Sequence, residues 1–135
     1  SCQLQMHNGA PLLVDSEHEL AFLLEQEKRE CEIFGRLADL GMRPLVGTDA
    51  GCGYTFFDET WLEMELLCRR CGLTPEKAIH AATLEGARAL GYGDFLGRLA
   101  PGYEADFIAA AQNPIQDIEA FRHIKHVVCR GKIIE

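Results

Sequence analysis

The sequence predicts an α/β fold, on three observations. A helical run stops at Gly41, an apolar pair Leu45-Val46 leads into Gly47-Thr48-Asp49, and after Leu96 the hydrophobic period shortens from helical to strand-like. The loop that follows Asp49, Ala50-Gly51-Cys52-Gly53-Tyr54, is rich in glycine. A carboxylate at the C-terminal end of a buried strand, with a permissive loop behind it, is where an α/β protein places chemistry. An aspartate there can equally cap the loop, and spacing alone leaves both roles open.

The first fifteen residues carry little periodicity. Leu4-Gln5-Met6 alternates poorly, and His7-Asn8-Gly9-Ala10-Pro11 reads as a turn, which makes His7 a solvated loop residue before it is a ligand. Ser16-Glu17-His18-Glu19 has the form of a capping box, with hydroxyl and carboxylate satisfying each other's amides. From there Leu20, Leu23, Leu24, Cys31, Phe34, Leu37 and Ala38 recur at helical spacing until Gly41, as one long helix or as two. Their stripe is expected to lie on the strand that carries Asp49. Thr60-x-x-Glu63 is a second capping box, opening a helix with Trp61, Met64, Leu67, Cys68 and Cys71 on one face and Gly72 at its end. Cys68 and Cys71 fall on that apolar face and read as small hydrophobes, since zinc sites need a second pair of ligands. Thr74-Pro75 caps a third helix, expected to run through Ala78, Ile79, Ala82, Ala87 and Leu90 to Gly91, with His80 a structural residue. Beyond it, Gly97-Arg98-Leu99 reads as a short strand, 105–110 as another, and Ile115 to Phe121 as a helical turn. Lys125 to Cys129 and Lys132 to Ile134 form a hairpin over Arg130-Gly131. His123 and His126, three apart on a strand, point to opposite faces.

Composition removes several classes of function. With a formal net charge of −8 the chain offers no basic patch for nucleic acid. No apolar run approaches the ~20 residues of a membrane span, and no charged-then-apolar leader is visible. Six cysteines without a framework spacing read as reduced thiols, so the expected location is the cytoplasm.

Gly47-Thr48-Asp49-Ala50-Gly51 resembles the last barrel strand of the amidohydrolase superfamily, metal-dependent hydrolases with a TIM-barrel core, in its imidazolonepropionase/Xaa-Pro dipeptidase-like branch. Independently, the stretch from Leu96-Gly97-Arg98 through Pro101-Gly102 to Ala105-Asp106-Phe107-Ile108 resembles the family's return into its small β-sandwich. Val127-Val128-Cys129-Arg130-Gly131-Lys132-Ile133-Ile134 resembles its closing hairpin, and the Thr74 to Gly91 stretch resembles the helices that close the barrel. The match runs in order from about Phe34 to the C-terminus. It implies that residues 1–94 are the end of the hydrolase barrel and 95–135 the C-terminal strands of the sandwich. A chain of 135 residues is well short of the ~250 of a typical barrel. The resemblance therefore implies the C-terminal part of a longer enzyme, and the start at Ser1-Cys2-Gln3, without a methionine, is compatible with truncation.

The resemblance also implies a role for Asp49, as metal ligand and general base toward a water activated by a divalent metal, zinc above all. The family's other ligands, histidines and often a modified lysine, stand on earlier strands that this chain does not carry. No His-x-His precedes Asp49, so the chain alone is not expected to be competent. Tyr54, Phe56 and Phe57 either line an apolar pocket for a small-molecule substrate or pack the loop onto the barrel rim. The implied activity is cleavage of a C–N bond in an amide, a cyclic amide or a dipeptide. The other reading is a non-catalytic, stand-alone α/β module that keeps the barrel end for assembly. Either way, unpaired strand edges predict a homo-oligomer.

Overall fold

A computed structural model describes residues 17–51 and 56–134. The Ser16 capping box, His7 and Tyr54 lie outside them. Helix α1 is one unbroken helix, Glu17–Asp39, with acidic residues in its first turn and Arg36 in its last, the arrangement its dipole favours. It ends in two paired bonds, Gly41 N–H to the Ala38 carbonyl at 3.1 Å and Met42 N–H to the Leu37 carbonyl at 2.9 Å. Gly41 has φ +95°, the left-handed conformation that this ending requires.

The apolar stripe of α1 does not lie along a strand. Cys31 enters a core made with Met64, Leu67, Cys71, Leu73, Ala78, Ala81 and Ile118, and Phe34 and Ala38 pack against it. Gly35 is the point of closest approach: a Cβ there would come within 2.5 Å of the Cys71 carbonyl oxygen. Buried Glu27 is paired with Arg70 at 3.7 Å, a second tie between α1 and the end of the next helix.

Helix α2 spans Thr60–Arg69. The expected capping box does not form: Glu59 is the N-cap, without a side-chain capping bond, and Thr60 is already helical. The Glu63 carboxylate is turned toward Gly47 instead. Helix α3, Pro75–Ala82, begins as its sequence predicts, with the Thr74 Oγ1 accepting from Lys77 N–H at 3.3 Å and proline in the first turn. The single helix expected up to Gly91 is broken into α3 and α4, Leu84–Ala89. Thr83 makes the break, at φ −124° and ψ −88°, while its hydroxyl donates to the Ile79 carbonyl at 2.7 Å. Hydroxyls that bond back one turn are known to bend helices.

Residues 42–49 are neither helix nor strand, which corrects the expectation of a strand at Leu45-Val46. A strand requires a neighbour to exchange ladder bonds with, and the described residues bring none alongside. The segment lies on the helices instead: Val46 packs against the core and its N–H donates to the Ala81 carbonyl at 3.3 Å.

The tail forms a three-stranded antiparallel sheet in the order β1-β2-β3, from Phe107–Ala110, Ile124–Cys129 and Lys132–Ile133. Phe107 pairs with Val128 and Ile108 with Val127, and the register shifts between Ala109 and Ala110. The helical turn expected between Ile115 and Phe121 is a 3-10 helix, Ile118–Arg122, and it puts Ile118 into the core. His126 lies on β2, but His123 precedes the strand, so the two do not share one. Gly97-Arg98-Leu99 is not a strand. Gly97, at φ +91°, is pressed on α4, and a Cβ there would meet the Leu84 Cα at 2.8 Å and the Thr83 carbonyl oxygen at 3.0 Å. Among the described residues no helix is long and apolar enough to cross a membrane.

Two glycines on this side of the molecule should respond in opposite directions to alanine. Gly97→Ala adds backbone overlap and left-handed strain, and should cost about 2 kcal/mol or more. At Gly86, inside α4, a Cβ meets only the Ala81 oxygen at 3.8 Å, so Gly86→Ala should stabilise by about 0.5–1 kcal/mol through helix propensity. Urea denaturation of the two variants checks both signs.

Candidate functional site

Asp49 stands at the end of this irregular segment, solvent-exposed and in the left-handed conformation at φ +52°. An aspartate tolerates this region better than most residues, but at a cost that surrounding structure must offset. Three contacts supply the support. Val46 N–H is bonded to Ala81 as described, Gly47 N–H donates to Glu63 Oε1 at 3.3 Å, and Ala50 N–H donates to Thr48 Oγ1 at 3.3 Å. The carboxylate of Asp49 is thus carried on backbone tied to α2 and α3, while the carboxylate itself faces solvent.

Behind Asp49 the chain turns through Gly51, at φ +93°. The Phe57 ring lies over Gly51, near enough that a Cβ there would come within 3.1 Å of its Cζ. Phe56 and Phe57 remain largely exposed, 55% and 82%. Phe57 therefore packs on the loop that carries Asp49, and nothing described covers its outer face.

The donors for a metal can be counted. Among the described residues no three of His, Cys, Asp and Glu gather around a common point. The Asp49 carboxylate fits the part of one ligand, whereas a zinc centre takes roughly three or four from the protein. A complete centre is not formed by the residues described.

The cysteines behave as the sequence suggests. Cys31 and Cys71 are core residues, and Cys68 packs against the same cluster. Burial, then the neighbouring Glu65 carboxylate, push the Cys68 thiol above its ordinary pKa. Asp106, at the entry to β1, serves the structure of the tail. Its Oδ1 accepts from Arg130 N–H at 2.6 Å, and Gly131 N–H donates to the Ala105 carbonyl at 3.0 Å. Together these bonds hold the β2–β3 turn, where Arg130 has φ +49°.

Glu63 is the residue that sequence reasoning misplaced. Its Oε1 reaches back sixteen residues to Gly47, and its Oε2 is buried with no hydrogen-bond partner among the described residues. A signal existed: Glu63 lies one turn before Leu67, on the face that α2 turns to the core.

The amidohydrolase family profile matches residues 13–134. The chain is 42% identical to an imidazolonepropionase of Deinococcus deserti over 83 residues, which cover 62% of this chain and 21% of that protein. It is 37% identical to an ochratoxinase of Aspergillus niger over 132 residues, 95% of this chain and 26% of that one. Among solved structures, an Xaa-Pro dipeptidase crystallised with methionine in its active site superposes with a TM-score of 0.73 at 30% identity, over 87% of this chain and 28% of that one. The chain thus spans about a quarter of the length of the relatives it matches.

Alkylation with iodoacetamide near pH 8, followed by peptide mapping, should separate the described thiols. Cys129, which is exposed, reacts first; Cys68 lags, because a raised pKa leaves less thiolate at a given pH. Cys31 and Cys71 react only on unfolding. Equal rates at Cys68 and Cys129 would contradict the burial described.

Proposed function

The chain belongs to the amidohydrolase family, and from that premise we propose that it is the C-terminal portion of a metal-dependent hydrolase of C–N bonds, with Asp49 as its catalytic carboxylate. In this reading residues 1–94 complete the barrel, and residues 95–135 give the last strands of the small sandwich. The carrying observation is the placement of Asp49, exposed at the end of a segment whose backbone is bonded to two helices. The names of the relatives support the substrate class: an imidazolonepropionase, an ochratoxinase and an Xaa-Pro dipeptidase suggest a cyclic amide, an amide or a dipeptide.

A divalent metal, zinc in this proposal, would supply a bound water acidified to near neutrality. The chain's own part is narrower. Asp49 would be one ligand of that centre and would accept the proton that the attacking water gives up. Phe56 and Phe57, with Tyr54 beside them in sequence, would border the small-molecule substrate on the loop side. The remaining ligands come from barrel strands that this chain does not carry, in a protein we place in the cytoplasm.

Asp49→Asn, made in the protein that carries those strands, keeps the size of the side chain and removes its charge and basicity. Hydrolysis of an Xaa-Pro dipeptide, imidazolonepropionate or ochratoxin A, whichever the parent cleaves, should fall by about 10³-fold or more with little change in melting temperature. Activity within a few-fold of the parent would remove Asp49 from the mechanism.

A second reading, a non-catalytic module used for assembly, is favoured by the apolar surface left bare. Leu40 is 85% exposed, Phe22 62% and Ile133 70%. Both readings predict self-association of the chain by itself, since bare apolar faces and sheet edges recruit other chains. Light scattering at low micromolar concentration should give at least twice the 15.0 kDa of one chain. A monodisperse monomer would show that the surface is tolerated as it stands.

A further inference from the structure

We propose that Glu63 is a positioning residue for Asp49: from α2, its carboxylate holds the Gly47 amide and so fixes the direction in which Asp49 leaves the segment. The inference rests on the catalytic reading of Asp49 and adds to it a residue that does not touch substrate. Three observations carry it. Gly47 N–H, on an exposed stretch of backbone, is bonded to Glu63 Oε1 and not to water alone. The other oxygen of Glu63 is shielded from solvent, so the side chain is lodged between helix and segment and does not swing freely. Two residues on, Asp49 adopts φ +52°, a conformation that persists only where its neighbours are held.

The alternatives for Glu63 are weaker. It is not the cap of α2, whose N-cap is Glu59. It has no ion pair among the described salt bridges of the chain. A carboxylate oxygen that is buried and unpaired carries a desolvation cost that a satisfied one does not. A glutamate kept on the core side of α2 at that cost is explained by what its first oxygen does for Gly47. Without it, the segment keeps the bond of Val46 N–H to Ala81 but loses the one that ties the Gly47 amide to α2.

Two variants separate positioning from mere packing. Glu63→Met fills the same space without an acceptor, whereas Glu63→Gln keeps a carbonyl oxygen for the Gly47 amide. On this chain, hydrogen exchange followed by NMR should show the Gly47 amide at least about tenfold faster in Glu63→Met and within about threefold of the parent in Glu63→Gln, with Leu67 unchanged in both. The amide–α-proton contact within Asp49, diagnostic of a left-handed residue, should weaken in Glu63→Met alone. In the protein that carries the other barrel strands, kcat should fall about 10–100-fold in Glu63→Met with KM nearly constant, and Glu63→Gln should recover most of it.

Unchanged Gly47 exchange in a folded Glu63→Met overturns the proposal. If that variant does not fold, the parent decides: a Gly47 amide exchanging as fast as an unbonded exposed amide overturns it too. The Asp49→Asn variant keeps the two claims apart. If Asp49→Asn is inactive and Glu63→Met is not slowed, the catalytic reading stands and positioning by Glu63 falls. If Asp49→Asn is active, the catalytic reading falls and takes the role of Glu63 with it, whatever the Gly47 amide shows.

Discussion

The arrangement depends on one constraint: a segment with neither helix nor sheet of its own finds partners for its backbone on the helices beside it. A half-buried amide must be bonded somewhere, and the Val46 amide takes the Ala81 carbonyl; the exposed Gly47 amide takes the Glu63 side chain. Val46 adds the apolar part by packing on the core cluster. The position of Asp49 follows from this seat, through backbone two and three residues before it. The side chain that does chemistry in the proposed enzyme is itself exposed, and its order comes from the chain behind it.

Around that seat the structure is held by a small core and by ties at its margins. The buried residues are mostly modest in size, with Ala78 and Ala81 where α2 and α3 come close. Charged residues extend the contacts outward. Arg69 reaches both Glu65 on its own helix and Glu119 on the 3-10 helix, and Arg122 pairs with Glu119 while its guanidinium lies 4.5 Å from the centre of the Trp61 ring. Exposed pairs of this kind contribute little individually. Their value is in fixing how the tail approaches α2, alongside Ile118, which is buried.

Much of this was legible in the sequence, and the omissions have physical causes. Period and end signals placed α1 through Gly41, the Thr74-Pro75 start and the hairpin over Arg130-Gly131, because those features are local. The family was legible from Gly47-Thr48-Asp49 and the tail motifs, because they are specific in order. What failed depended on contacts distant in sequence. Leu45-Val46 has the composition of a strand, but a strand exists only beside another. Gly97-Arg98-Leu99 looks extended until Gly97 is seen pressed on the backbone of α4. Thr60 and Glu63 match a capping box, yet Glu63 bonds a residue across the loop. For the proposed site, the motif singles out Asp49, whereas the contacts of the backbone beneath it, Val46 on Ala81 and Gly47 on Glu63, leave no mark in the sequence.

The interruption at Thr83 has a cost and a use that pull against each other. In a continuous helix from Pro75 to Ala89 the Ala81 carbonyl would be aimed along the axis at the amide of Glu85. Because the helix turns aside at Thr83, that carbonyl is directed outward to Val46 instead. Helical content and the seating of Asp49 are therefore exchanged one for the other at a single carbonyl. A sequence optimised for an uninterrupted helix would be the better helix and the worse platform, and engineering that heals the break for stability would be acting directly on the geometry of the carboxylate.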